Sequence, residues 1–107
     1  MNIAISASTD SMTGAVDERF GRARGFFLLD DKEGNPKFLD NTANQDAGHG
    51  AGIASAQMLI DAHVEVVLTG RVGPKASQAL TAAGIIVEVI DGALTVESAW
   101  KAYQEKS

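Results

Sequence analysis

Four arginines and one lysine are the residues whose type and spacing most clearly predict a chemical role for this chain. Arg19, Arg22 and Arg24 fall within six positions, and Arg71 and Lys75 follow later. The chain of 107 residues is acidic, with a formal charge of −5 and only nine Lys and Arg residues. Guanidinium groups bind anions through paired N–H donors. The clustering therefore predicts an anion-binding site.

The bulk composition limits the other functions. The chain contains no cysteine, which excludes disulfides, thiolate zinc sites and cysteine-ligated iron–sulfur clusters. Its N-terminal sequence MNIAISAS lacks the pattern of a signal peptide, and no apolar run reaches the roughly 18 residues of a membrane span. We therefore expect one soluble, cytoplasmic domain over residues 1–107 that has no membrane partner. The net negative charge argues against nucleic acid as a partner.

Hydrophobic periodicity predicts strands first and then alternating strands and helices. The segments that favour strands are 2–6, 26–30, 37–41, 65–69 and 85–90. Helices are predicted over 51–62, from Pro74 to a stop at Gly84, and after the cap Thr95 with Val96, Ala99, Trp100 and Tyr103 on one face. Long polar loops are expected over 7–24 and 42–50.

This order predicts an α/β fold with a mixed five-stranded sheet of order 3-2-1-4-5 and three helices. Only the strand over 26–30 should run antiparallel to its neighbours, because the later strands join through right-handed helical crossovers. The winding then reverses between the first and fourth strands, and open α/β sheets bind ligands at that point, outside the carboxyl ends of the strands. The loops that carry the four arginines should meet there.

Other residues of the same loops add weaker signals. The loop that holds His49 should open at the same edge, and the predicted helix starts at 50–51 and at Gly73 would add partial positive charge and N–H groups. Met12 could contact a soft metal, although a methionine in a loop usually serves packing. The arginines could instead pair with the nearby Asp17 and Glu18 on a solvated surface. No nucleophile triad, HExxH motif or pair of catalytic carboxylates supports an enzyme.

Three stretches resemble one protein family. VDERFGRA (16–23), GHGAG (48–52) and TGRVGPKASQALTAAGIIV (69–87) are similar to the dinitrogenase iron–molybdenum cofactor biosynthesis family, with its NifX/NafY-type domain. The resemblance covers nearly the whole chain and implies a ribonuclease H-like fold. It also implies that the protein is not an enzyme but binds, stores or delivers a preformed metal–sulfur cluster.

The implied cargo is a molybdenum–copper sulfide cluster or a related molybdenum–iron–sulfur cluster, held non-covalently. The residues expected to bind it are Arg19, Arg22, Arg24, His49, Arg71, Gly73 and Lys75, with Met12 as a candidate metal ligand. The implied partners are proteins of a cluster assembly or delivery complex, and the protein would act as a monomer or dimerise around the cluster. The alternative is a small regulatory or interaction module whose basic edge binds an acidic protein surface or a nucleotide phosphate without metal.

Overall fold

The computed structural model describes residues 1–30, 35–45, 50–92 and 94–106. Over these ranges the elements are, in chain order, β1 (Asn2–Ala7), β2 (Gly25–Asp30), β3 (Lys37–Asp40), α1 (Thr42–Gln45), α2 (Ala51–Asp61), β4 (Val66–Thr69), α3 (Pro74–Ala82), β5 (Ile86–Val89) and α4 (Val96–Lys106). Within the described ranges, no helix combines the length and apolar character that crossing a membrane requires.

The five strands form one mixed sheet of order β3-β2-β1-β4-β5. The central strand β1 pairs antiparallel with β2 and parallel with β4. β2 also runs antiparallel to β3, whereas β4 and β5 are parallel. The predicted sheet order is thus confirmed, as is the expectation that β2 alone runs against its neighbours. The predicted strand boundaries agree with the observed ones to within one residue at each end.

The sheet is covered on both faces because alternate residues of its central strand point to opposite sides. Ile3 and Ile5 belong to the apolar cluster on the α4 side, which also contains Phe27. Val96 and Ala99 belong to this cluster as well, and Trp100 and Tyr103 pack against it, so the predicted apolar face of α4 lies on the sheet. Ala4 belongs to the second cluster, on the side of α2 and α3. Each fully buried large side chain contributes on the order of 1.5–3 kcal/mol to folding.

The ends of α3 follow the signals in the sequence. Pro74 occupies the first turn, where its missing N–H has no helical partner to lose. The helix closes at Ala83, and Gly84 follows with φ of 80°. This left-handed conformation is favourable for glycine, so Gly84 is the predicted stop.

One helix departs from the prediction. The sequence predicts a loop over 42–50 and three helices, whereas Thr42–Gln45 forms a single turn, α1, so that four helices lie in the described ranges. The Asp40 carboxylate stabilises its start, because it accepts hydrogen bonds from the backbone N–H (2.8 Å) and the hydroxyl (2.6 Å) of Thr42. One turn is too short to produce a periodic hydrophobic signal.

The segment between β1 and β2 is tied to the edge of the sheet where β1 and β4 end. The backbone N–H of Asp17 donates to the Ser6 carbonyl at 2.9 Å. Ser6 Oγ lies 2.6 Å from the Asp17 carbonyl oxygen and 2.8 Å from Thr69 Oγ1. Phe20 is 1% exposed and anchors the segment in the core. These contacts hold the arginine loop, defined as residues 19–24, over the point where the winding reverses.

Candidate functional site

The two predicted basic loops meet at the sheet edge through backbone pairing. Arg19 and Arg71 form an isolated parallel bridge. The N–H of Phe20 donates to the Arg71 carbonyl at 3.0 Å, and the N–H of Arg71 donates to the Glu18 carbonyl at 2.5 Å. Paired strands lie about 4.8 Å apart, so the bridge sets two exposed arginines side by side. The predicted convergence of these loops is present in the structure.

Two glycines allow this close approach. A Cβ atom at Gly70 would lie 2.5 Å from the Glu18 carbonyl oxygen, and a Cβ at Gly21 would lie 2.8 Å from the backbone of Gly52. Both distances are too short for a side chain to be accommodated without movement of the backbone. Gly70 therefore brings the loop after β4 against the segment that precedes Arg19, and Gly21 brings the arginine loop against the start of α2.

The three segments enclose an open cleft of about 360 Å³, which we call the basic cleft. Its cationic residues are Arg19, Arg22 and Arg71, and its remaining lining includes Gly50 and Gly73. A second space of about 400 Å³, which we call the apolar hollow, adjoins the basic cleft. The glycines that line the basic cleft line the apolar hollow as well. The cleft therefore offers three guanidinium groups beside exposed backbone.

The apolar hollow extends along the starts of α2 and α3. Its further lining includes Ile53, Pro74 and Ala76, with Lys75 beside them. Ile53 is a large apolar residue that is 44% exposed. An occupant of the two spaces together would meet positive charge at one end and apolar surface at the other.

The helices α2 and α3 both begin at this site, and both begin with glycine. The N-cap residues are Gly50 and Gly73, neither of which supplies a side-chain cap, and neither first turn contains an acidic residue. A Cβ added at either glycine would meet no atom within 4 Å. The first N–H groups of a helix lack intrahelical partners and carry partial positive charge. Both helix starts thus favour an anion in the space beside them.

The three arginines of the basic cleft differ in how their charge is compensated. Arg19 Nε lies 3.3 Å from the carboxylate of Asp17, which is 8% exposed. The Arg22 guanidinium donates to the Gln45 carbonyl at 2.5 Å. In the described part of the chain, the Arg71 guanidinium has neither a hydrogen bond nor an ion pair. The alternative prediction that the arginines pair with local carboxylates is therefore correct for Arg19.

A second cleft of about 350 Å³ lies on the other side of Arg19 and Arg71, and we call it the mixed cleft. It is lined by the same two arginines together with Asp17 and Glu18. Its charges therefore offset each other, in contrast to those of the basic cleft.

The remaining predicted site residues are less closely grouped. Arg24 does not line the basic cleft, and its guanidinium lies 3.9 Å from the Asp10 carboxylate. Met12 packs against the apolar cluster on the α4 side. Lys75 lines the apolar hollow, and Gly73 lines both spaces. His49 lies outside the described residues.

The apolar end of the site and the residues that support it carry no functional signal in the sequence. Ile53 belongs to the apolar residues of the helix predicted over 51–62, and nothing in that pattern indicates that its side chain is exposed. Gln45 carries no signal that would link its carbonyl to Arg22. The close approach of Gly21 to Gly52 joins residues from distant parts of the chain, so only the fold reveals it.

The donor groups at this edge are suited to an anion rather than to a bare metal ion. The chain has no cysteine, and the described residues contain no group of three or more His, Asp or Glu side chains that could hold a metal ion. Arginine and backbone N–H groups are hydrogen-bond donors without lone pairs to offer a metal. They fit a metal–sulfur cluster that brings its own sulfide ligands and carries negative charge.

Comparison with known proteins places this geometry in context. A family model described as dinitrogenase iron–molybdenum cofactor matches residues 1–106. The apo form of the orange protein from Desulfovibrio gigas is 45% identical, with a TM-score of 0.93, and the match covers 98% of this chain and 88% of that one. A NifB-like protein from Thermotoga is 33% identical, with a TM-score of 0.85, and the match covers 97% and 87% of the two chains. No curated protein sequence matches the chain.

The motifs quoted above predict a likeness to the orange protein of sulfate-reducing bacteria, and the identity and TM-score confirm it. The family is associated with the biosynthesis or binding of a cofactor rather than with catalysis. A role in binding or handling a metal cofactor follows for this protein. The chain is a member of the dinitrogenase iron–molybdenum cofactor family.

Proposed function

We propose that the protein binds, stores or delivers a preformed anionic metal–sulfur cluster and catalyses no reaction. The cluster is of the molybdenum–copper sulfide type or the iron–molybdenum type. The observation that carries the proposal is the basic cleft, where Arg19, Arg22 and Arg71 lie beside the glycine-capped starts of α2 and α3. The guanidinium groups and the helix starts both attract negative charge, and both can hold an anionic cluster without a bond between the protein and a metal atom.

The cluster would contact the arginines through its sulfide ligands. Each guanidinium presents several N–H donors in a plane, which suits hydrogen bonds to two neighbouring sulfides. The N–H groups at the starts of α2 and α3 would contact the same anion, and Lys75 would add charge from the apolar hollow. Arg24, His49 and Met12 remain proposed contacts, of which Arg24 would have to leave Asp10 to reach the cleft.

Several cations must act together because each contributes modestly. At an effective dielectric constant near 20, two unit charges about 4 Å apart attract by about 4 kcal/mol before desolvation. Exposed groups gain much less than this after solvent screening. A multiply charged cluster within reach of the three guanidinium groups of the basic cleft would gain from each of them.

The proposed partners follow from the family. A protein that carries a cluster must receive it from, or pass it to, other proteins of cluster assembly or delivery in the cytoplasm. The cleft is open to solvent, so a cluster bound there would remain partly accessible to an acceptor. The protein would act as a monomer, or as a dimer in which two open clefts enclose one cluster.

The direct test is anaerobic reconstitution of the apo protein with tetrathiomolybdate and copper. Gel filtration then separates free reagent, and the metal per protein is measured at low and high salt. We expect the wild type to retain molybdenum and the variant with Arg22→Ala and Arg71→Ala to lose most of it. Retention by the wild type should fall as salt rises, because an open site is partly screened.

A matched control removes two positive charges elsewhere. Lys37 and Lys101 are exposed and lie on β3 and α4, away from the basic cleft. The double variant with Lys37→Ala and Lys101→Ala should retain metal like the wild type. Wild-type retention by the doubly substituted arginine variant would refute the proposed site.

A further inference from the structure

Asn41 is a fully buried polar residue that joins the arginine loop to two helices. Its side-chain Nδ2 donates to the Ala23 carbonyl at 2.9 Å. Its Oδ1 accepts hydrogen bonds from Asn44 Nδ2 at 2.9 Å and from Ser55 Oγ at 3.0 Å. Its backbone N–H donates to the Arg24 carbonyl at 2.8 Å. One side chain therefore links the arginine loop, α1 and α2.

Ala23, whose carbonyl accepts the hydrogen bond from Asn41, directly follows Arg22 in the chain. Arg22 and Gln45 are also joined by two hydrogen bonds, one in each direction. The Arg22 guanidinium donates to the Gln45 carbonyl at 2.5 Å, and Gln45 Nε2 donates to the Arg22 carbonyl at 3.1 Å. Gln45 ends the helical turn that begins directly after Asn41, and its N–H donates to the Asn41 carbonyl at 3.2 Å. Asn41 thus lies behind these two hydrogen bonds between Arg22 and Gln45.

A buried amide of this kind has a defined position because its polar groups are costly to leave without partners. The side chain of Asn41 is 0% exposed, and both of its polar atoms have partners. Movement of the arginine loop away from α2 would break the bond to Ala23 and leave the amide donor unpaired. Asn41 therefore restricts where Arg22 can lie relative to the start of α2.

We propose that Asn41 is a positioning residue for anion binding, which acts by fixing Arg22 in the basic cleft. This inference rests on the proposed function, because it concerns the same cleft. Asn41 does not line the cleft and would not contact the cargo. Its effect on binding is transmitted through Arg22 and should vanish when the Arg22 side chain is absent.

A double-mutant cycle tests this dependence. Asn41→Asp keeps an acceptor for Asn44 and Ser55 but replaces the donor to the Ala23 carbonyl with an oxygen that repels it. Asn41→Ser shortens the side chain without adding charge, and serves if the aspartate variant does not fold. Each substitution is made in the wild type and in Arg22→Ala. The dissociation constant for tetrathiomolybdate with copper is measured by anaerobic equilibrium dialysis.

We expect either Asn41 substitution to weaken binding about tenfold in the wild type and less than about twofold in Arg22→Ala. Ser55→Ala is the matched control, because it removes one hydrogen bond from the same buried group on the helix side. It should change binding less than about twofold. Equal factors in both backgrounds, or unchanged binding in the Asn41 variants, would overturn the inference.

A measurement on the apo protein separates this inference from the proposed function. ¹⁵N relaxation of the Arg22 Nε–H group reports how firmly the guanidinium is held without any cargo. The order parameter should fall in the Asn41 variants and stay near the wild-type value in Ser55→Ala. An unchanged order parameter in the Asn41 variants would overturn the positioning role. Failure of the wild type to bind the probe would refute the proposed function alone.

Discussion

The basic cleft and the mixed cleft share Arg19 and Arg71 but differ in everything around them. On the basic side the two arginines lie beside Arg22 and the starts of two helices. On the mixed side they lie beside Asp17 and Glu18. The two spaces have similar volumes, about 360 and 350 Å³. Size therefore does not distinguish them, whereas the sign of the surrounding charge does.

The position of an arginine therefore does not by itself make an anion site. The Asp17 carboxylate already lies 3.3 Å from Arg19 Nε, and any anion in the mixed cleft would be repelled by it. In the basic cleft the helix starts reinforce the arginines. Changing the charge on one side at a time should therefore affect binding very differently.

The largest effect is expected from a carboxylate placed in the basic cleft. Gly73 has φ of −66° and ψ of 162°, which any residue adopts, and a Cβ there meets no atom within 4 Å. Gly73→Asp should weaken binding of tetrathiomolybdate with copper more than about a hundredfold, because a like charge enters the site. The same aspartate caps α3, so the free energy of unfolding of the apo protein should rise by a few tenths of a kcal/mol. Equilibrium dialysis and urea denaturation measure the two effects.

The matched control places the same charge in the mixed cleft. Ala15 is exposed and lines that space, and its side chain makes no hydrogen bond that would be lost. Ala15→Asp should weaken binding less than about threefold, because its charge is farther from the cargo and more screened. Equal losses in the two variants would show that the two clefts do not differ in the proposed way.

The second prediction concerns the arginine that both clefts share and that has no ion pair in the described part of the chain. Arg71→Ala should weaken binding at least about tenfold, because hydrogen bonds between charged groups are worth about 1.5–3 kcal/mol. Arg71→Lys should recover only part of this loss, since an ammonium group lacks the planar pair of donors. Full recovery by lysine would mean that charge alone matters at this position. The dissociation constants of the three proteins decide between these outcomes.

Much of this arrangement could be predicted from the sequence, and the reason is physical. Strand alternation and helix signals such as Pro74 and Gly84 act locally, so the order of the elements fixes the sheet order and brings Arg19 to Arg71. The contacts that shape the cleft are not local. The bond from Asn41 to Ala23 spans 18 residues, and the bonds between Arg22 and Gln45 span 23. Hydrophobic periodicity carries no information about pairs of residues so far apart in the chain.

The lack of local signals for such contacts also explains why the prediction for the arginine loop is only partly correct. Arg19, Arg22 and Arg24 look equivalent in the sequence, but only the first two line the basic cleft. Arg24 immediately precedes β2 and lies by Asp10. Residues close together in a loop can thus lie on different surfaces of the protein, and the path of the backbone decides on which surface each one lies.

A smaller effect is expected from removing the carboxylate that opposes Arg19. Asp17→Asn keeps an oxygen that can accept the hydrogen bond from the Arg19 N–H, now 2.9 Å long, but removes the negative charge. Binding of the same probe should strengthen by about two- to fivefold, since ion pairs of this kind are worth up to about 1 kcal/mol. The comparison variant is Asp10→Asn, whose partner Arg24 lies outside the cleft. Similar gains in both variants would indicate a general effect of net charge.

The smallest effect is expected at Asp40, a carboxylate that interacts with Arg24 and does not line the basic cleft. The pKa of Asp40 is lowered, first by the hydrogen bond from the Thr42 hydroxyl, then by that from the Thr42 N–H, with a smaller contribution from the charge of Arg24. A carboxyl whose pKa is lower in the folded state stabilises the fold above its unfolded pKa. That contribution is lost as the pH falls through the lowered value.

In Thr42→Ala the pKa of Asp40 should move part of the way back towards its ordinary value, because the N–H remains. A titration of the Asp40 carboxyl by NMR in the two apo proteins measures this shift. An unchanged pKa would mean that the hydroxyl does not hold the carboxylate at the start of α1. Arg24→Ala should raise the pKa of Asp40 less than Thr42→Ala does. A larger rise would mean that Arg24 interacts chiefly with Asp40 and not with the basic cleft.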